Sequence, residues 1–293
     1  MNPLIMHIGS GMSFFTGLGL IIISAILSFF DRKLSLKIIS GLGFLLGAIG
    51  VITASIPQFG LPYLILPVIA VLLLLMFMKA DWARQASFFI KGLLIFLCTC
   101  SVLLEAPHLL LPNIQMGNYD KLYVIGDSIS AGIQFDGEKC WSEVFKEKYG
   151  VKVANLAVAG TTLSTVLPTV DGIKDEKALV LLEIGGNDIF DNDCPSRKFR
   201  ADLEVLLKKV CRPGRTVIMF ELPLYPFSEG IISAQRELSR QYGVYLVPRY
   251  IFSGFITGDK RTVDGLHLSN YGHEKMAEGV WGIVKKVLLA NKL

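Results

Sequence analysis

The chain has 293 residues, 52% hydrophobic and only 18% charged, with a formal net charge of +4 and a mean hydropathy of +0.52. Soluble domains carry about 25% charged residues, so the composition excludes a single ordinary soluble domain. No long basic run or aromatic-basic stripe points to nucleic acid.

The apolar excess is confined to the first part of the chain. Through residue 110 the only acids are Asp31, Asp81 and Glu105, and the only bases are Arg32, Lys33, Lys37, Lys79, Arg84 and Lys91. The pattern predicts a transmembrane region over 1–110 and a soluble domain over 118–293. Four apolar segments are candidate spans, at 12–30, 38–56, 61–78 and 87–106, each close to the length a bilayer core requires. In the second, Gly43 and Gly47 smooth one helical face for close approach of a neighbour. The third carries Pro67. The fourth has Lys91 near its start, expected to snorkel towards headgroups, and Glu105 at its end. Arg32, Lys33 and Lys37 lie in the first link, no base lies in "PQFG", and Lys79, Arg84 and Lys91 lie in or near the third link. Positive links stay in the cytoplasm, so four spans predict an integral plasma-membrane protein with its soluble domain on the extracytoplasmic side. With the fourth segment not spanning, that domain is cytoplasmic.

From residue 118 apolar runs alternate with amphipathic stretches. Strands are expected at 121–126, 151–158, 178–185, 216–223 and 244–249, rich in Val, Ile and Leu without alternation, as in strands buried on both faces. Helices are expected at 139–149, 161–169, 196–211, 229–242 and 270–289. This order predicts α/β architecture, a parallel sheet between helical layers. Cys98 and Cys100 read as packing residues. Of Cys140, Cys194 and Cys211, a helix of ~20 Å separates the last two, leaving Cys140–Cys194 as the candidate disulfide.

In open parallel sheets ligands bind beyond the carboxyl ends of the strands. There the chain places "GDSIS" with Ser128, "AGTT" with Gly160, "GGNDIFD" with Asn187, and "DGLHLS" with Asp264 and His267. Each has a plain structural reading: a helix cap, a Gly-rich turn, a turn before the last helix. Together they supply a nucleophile, a base steered by an acid, and oxyanion donors. The chain has four histidines. His7 lies in the N-terminal tail and His108 at the membrane boundary, while His273 is expected on a solvated face of the final helix. That leaves His267 as the base. Asp127 and Asp188 read as loop-bonding residues. Ile133, Phe135 and Trp141 could line an acyl pocket or pack the next helix. There is no GxSxG elbow and no metal or phosphate-loop motif.

In these four blocks, over about residues 120–289, the chain resembles the SGNH (GDSL) hydrolase family. Ile129 stands where the family name has Leu, and the apolar first part has no place in the family's core. The resemblance implies a three-layer α/β/α flavodoxin-like domain, with Ser128 as nucleophile, His267 as base and Asp264 as its orienter. It also implies an oxyanion hole from the Ser128 and Gly160 N–H groups and the Asn187 side chain, and no metal or organic cofactor. Family members act on varied esters, so fold does not choose the substrate. Beside a membrane region the expectation is a serine esterase anchored in the lipid bilayer, acting on an acyl or acetyl ester of an envelope glycan or lipid. An O-acyltransferase with a sugar acceptor uses the same residues. An inert membrane scaffold is the reading of a different class. Oligomeric state is not legible.

Overall fold

The computed structural model describes residues 3–289, apart from 31–32, 58–60, 79, 116, 118, 120 and 191–193. Arg32 and Lys79 and most of the "PQFG" link therefore lie outside the described residues. The chain forms two compact units. One comprises Met1–Met6, Leu111–Pro223 and Gly230–Leu293, the other His7–Leu110 and Leu224–Glu229.

Five helices open the chain: α1 (Pro3–Gly9), α2 (Met12–Leu27), α3 (Leu34–Thr53), α4 (Leu61–Phe77) and α5 (Asp81–Glu105). Among the described residues three segments, Met12–Phe30, Leu34–Thr53 and Asp81–Leu109, are long and apolar enough to cross a membrane, and Tyr63–Phe77 is a shorter apolar helix. The short helix is thus the third one, containing Pro67, rather than the fourth. The second begins at Leu34 instead of 38. Phe14, Leu18, Ile21, Phe44, Ile65, Leu72 and Leu94 are fully buried among these helices, while Leu46, Leu74, Phe89, Phe96 and Leu103 are exposed. Helices apolar all round suit an apolar surrounding. A Cβ on Gly17 would stand 2.6 Å from the Gly47 carbonyl oxygen, and one on Gly47 would stand 2.7 Å from that of Gly17. Only glycines let α2 and α3 approach this closely. Lys91 does not reach outward as expected. It is buried, donates from Nζ to the Ser28 carbonyl at 2.5 Å, and lies over the Phe29 ring. The bonded carbonyl and the ring face compensate a charge that would otherwise need headgroups.

The other unit is built on five parallel strands: β1 (Leu122–Gly126), β2 (Val153–Asn155), β3 (Ala178–Glu183), β4 (Arg215–Phe220) and β5 (Tyr245–Val247), in the order β2-β1-β3-β4-β5. Every residue of β1 and β3 is buried, as strands covered on both faces must be. The helices are α6 (Ser128–Ala131), α7 (Trp141–Tyr149), α8 (Gly186–Phe190), α9 (Ser196–Val210), α10 (Glu229–Tyr242), α11 (Arg249–Phe255) and α12 (Asn270–Leu289). Right-handed crossovers put α7 on one face of the sheet and α9 and α10 on the other. The last helix, α12, packs on α7 through Tyr149 and Trp281, whose rings stack at 4.3 Å. The result is a flavodoxin-like α/β/α sandwich.

The helix expected at 161–169 does not form. The Thr162 N–H goes to the Thr165 hydroxyl at 2.8 Å, and Pro168 lies in a 3-10 turn over Leu167–Gly172. Short hydroxyl side chains compete with the helix ladder for backbone groups. The expected Cys140–Cys194 bridge is absent. The Cys140 thiol faces the Ala131 carbonyl at 3.2 Å and the Cys194 thiol faces Asp188.

Candidate active site

Strand β1 ends at Gly126, where an added Cβ would meet the Glu183 carbonyl oxygen at 2.7 Å and its Oε2 at 2.9 Å. Close approach of β1 and β3 therefore requires glycine there. Asp127, not Ser128, caps α6: its Oδ1 accepts from the Ile129 N–H at 3.1 Å. The Ser128 hydroxyl is left at the tip with no capping duty.

The "DGLH" turn is built by one carboxylate. Asp264 Oδ1 accepts from the Leu266 and His267 N–H groups at 2.9 and 2.8 Å, and Gly265 supplies a φ of +92°, a region that suits glycine. The Val263 N–H bonds the His267 carbonyl and the Ser269 N–H bonds Arg261, closing the loop. The second oxygen, Oδ2, lies 2.6 Å from His267 Nδ1. On the far side of the ring, His267 Nε2 stands 3.1 Å from Ser128 Oγ. The structure thus brings Ser128, His267 and Asp264 into one line of hydrogen bonds across 139 residues of chain. Asp264 is pushed down to about 2, chiefly by its bond to the imidazole, so it stays ionised and fixes the proton on Nδ1, leaving Nε2 to accept.

Gly160 has φ +78° and open space where a Cβ would be. Its loop is tied to the end of β1, since the Val158 N–H and the Thr161 hydroxyl both donate to the Gly126 carbonyl. Asn187 joins from the β3 side, its Nδ2 donating to the Thr161 carbonyl at 2.8 Å with one amide hydrogen to spare. Asp188 accepts from the Leu163 N–H at 3.0 Å. Among the described residues, neither the Ser128 nor the Gly160 N–H has an acceptor. No group of three or more His, Cys, Asp or Glu is gathered to hold a metal among them.

Two features of this site are invisible in the motifs. Beneath the segment that carries Ser128, buried Glu183 accepts from the Ser130 hydroxyl at 2.8 Å, and that hydroxyl accepts from Trp141 Nε1 at 3.2 Å. Burial pushes Asp127 up to about 6 and Glu183 well above the ordinary carboxylate range, and the Asp127 charge raises Glu183 further. An acid following five apolar strand residues was the available signal. Trp141 is wholly buried and edge-on to Phe145, so it packs the core and lines no acyl pocket. His273, expected on the surface, is also buried. Its Nδ1 accepts from the Trp141 N–H at 3.1 Å and its Nε2 meets Glu138 at 3.0 Å.

The sequence profile of the GDSL-like Lipase/Acylhydrolase family matches residues 124–275. The chain is 25% identical over 187 residues to Esterase TesA of Pseudomonas aeruginosa, covering 59% of this chain and 92% of that protein. It is 27% identical over 160 residues to an arylesterase of Vibrio mimicus, covering 50% and 80%. The crystal structure of the psychrotrophic esterase EstA from Pseudoalteromonas sp. superposes with a TM-score of 0.51 at 20% identity, covering 58% of this chain and 99% of that one.

Proposed function

The chain belongs to the GDSL-like Lipase/Acylhydrolase family, and from that premise we propose a membrane-anchored serine esterase that uses Ser128, His267 and Asp264 on an envelope acyl ester. A member of this family is an ester hydrolase of the serine type. The observation that carries the assignment of residues is the line Ser128 Oγ–His267 Nε2, 3.1 Å, and His267 Nδ1–Asp264 Oδ2, 2.6 Å.

In the reaction Ser128 Oγ attacks the ester carbonyl carbon and its proton passes to His267 Nε2. The carbonyl oxygen becomes an oxyanion, met by the N–H groups of Ser128 and Gly160 and the second hydrogen of the Asn187 amide. His267 then gives its proton to the departing alkoxide, leaving an acyl-serine. Water enters, loses a proton to Nε2 and attacks the acyl carbon. Collapse returns that proton to Ser128 Oγ and frees the carboxylic acid. Asp264 stays ionised throughout and stabilises the imidazolium.

Support for an apolar acyl group comes from Ile133, Val158 and Leu266, exposed on the loops that carry the site, and from exposed Phe190 at the end of α8. Support for a substrate of the envelope, glycan or lipid, comes from the three helices apolar and long enough to cross a bilayer. Lys33 beside α3, Lys37 in its first turn and Arg84 in the first turn of α5 favour a cytoplasmic location for those helix starts, which with four spans puts the esterase unit outside. A reporter enzyme fused after Leu293 tests sidedness: activity only outside the cytoplasm is expected, and cytoplasmic activity overturns it. Fluorophosphonate labelling at Ser128, followed by p-nitrophenyl esters of graded chain length, tests the chemistry. An unlabelled Ser128 favours the inert scaffold. Product analysis with and without an acceptor glycan separates hydrolysis from acyl transfer.

A further inference from the structure

His273 sits six residues beyond His267 and is 1% exposed. The Trp141 N–H can only donate, so His273 Nδ1 accepts from it and the ring proton lies on Nε2, directed at Glu138. The Glu138 side chain is only 5% exposed, and its Oε2 accepts from the N–H groups of Ile133 and Gln134 at 3.0 and 2.5 Å. These are the residues that follow the nucleophile's helix. The same segment is held twice more: Trp141 Nε1 donates to Ser130 and the Cys140 thiol faces Ala131. From the other side, Asn270 accepts from the Lys139 N–H and donates to the Gly137 carbonyl, each at 3.0 Å. The His273 N–H bonds Ser269, two residues past the base.

Helices α7 and α12 already have an aromatic interface in Phe145, Tyr149 and Trp281. An imidazole adds nothing that packing there needs. What it adds is a polar connection from the start of α12 to the loop behind Ser128. We propose that His273 is a positioning residue: in its neutral form it links the segment carrying Ser128 to the segment carrying His267, and its protonation in acid releases that link. The proposal rests on the assignment of Ser128 and His267 given above.

The release follows from donor chemistry. A proton on Nδ1 would face the Trp141 N–H, setting donor against donor in a site closed to water. The charged groups that face the ring are Glu138 from the loop and Glu143 from α7. Both favour the imidazolium, yet burial outweighs them and holds His273 below its ordinary range. The sign is therefore fixed: the link is intact above the usual histidine pKa, and its contribution falls as the pH drops below it.

The test measures kcat and KM of the full chain on a p-nitrophenyl ester from about pH 5 to pH 8, the range of histidine switching. His273→Asn keeps an acceptor where Nδ1 was and cannot take a proton. His273→Ala keeps neither bond. The alanine variant is expected to lose kcat by roughly 10²-fold with KM little changed, the effect of a misplaced catalytic group. The asparagine variant is expected to recover most of that loss, and its kcat should fall in acid with one proton where the parent falls with two. A His273→Ala enzyme with parental kcat overturns the proposal, as does a His273→Asn enzyme with the parental acid limb. If the alanine variant melts below assay temperature, the acid limb of His273→Asn decides. Ser128→Ala in the same assay separates the two readings: residual turnover there sinks the site assignment, whereas its loss beside an unaltered His273 series sinks only the positioning role.

Discussion

Asp264 and His267 share one exposed turn, three residues apart, whereas Glu138 and His273 meet in the interior from 135 residues apart. The two pairs contain the same groups at similar distances, and their surroundings make them opposites. In the turn, the carboxylate accepts two backbone N–H groups as well as the imidazole, and it stays ionised down to about 2. Its partner ring keeps one nitrogen free of carboxylate and aimed at a hydroxyl. In the interior, both ring nitrogens are engaged and burial keeps the imidazole neutral. Exposure leaves one ring nitrogen open to a hydroxyl, and burial ties the same chemistry down at both ends.

The sharpest way to break that comparison is to remove the hydroxyl at its exposed end. Ser128→Ala should cut kcat by about 10⁶-fold with the melting temperature nearly unchanged, and turnover near the parental rate would transfer the chemistry elsewhere. Asp264→Asn should cost about 10⁴-fold, because the amide permits the wrong imidazole tautomer. A loss there no larger than that from His273→Ala would erase the distinction between the pairs. Asn187→Ala should lower kcat by about 10²–10³-fold through the oxyanion, and an effect confined to KM would make it a binding residue.

The smallest effect concerns a carboxyl buried without any imidazole. Glu183 and Asp127 are raised together, Asp127 from 3.8 to about 6. Between those values the folded chain keeps a proton that the unfolded chain gives up, so stability falls as the pH rises through that window. Glu183→Gln should flatten the fall of melting temperature with pH, while activity at neutral pH changes little. Equal slopes in parent and variant would mean the pair does not titrate there.

The exposed pair was legible because it is local. In "DGLH" a single carboxylate does two local jobs: Oδ1 makes the turn and Oδ2 meets the imidazole. The sheet was legible as well, since β1 and β3 are continuous apolar runs and the alternation with helices leaves little choice of class. The second pair was hidden for the opposite reason. Nothing near His273 in the chain hints at Glu138, and a histidine inside an amphipathic helix is ordinarily solvated. Lys91 misled in the same way, since the Ser28 carbonyl that receives it lies 63 residues away. Thr162 and Thr165 broke an expected helix by bonds too local for any hydrophobic period to register.

Gly126 stands against the backbone of β3 and not only against the Glu183 side chain. No compensating change at residue 183 can make room for a methyl group, because the carbonyl oxygen in the way belongs to every amino acid. A saturation library at 126 would return the parent alone, while one at exposed Ile133 would tolerate many replacements. Gly126 therefore gives the fixed floor of a mutational-tolerance scale on which the rest of the loop can be graded.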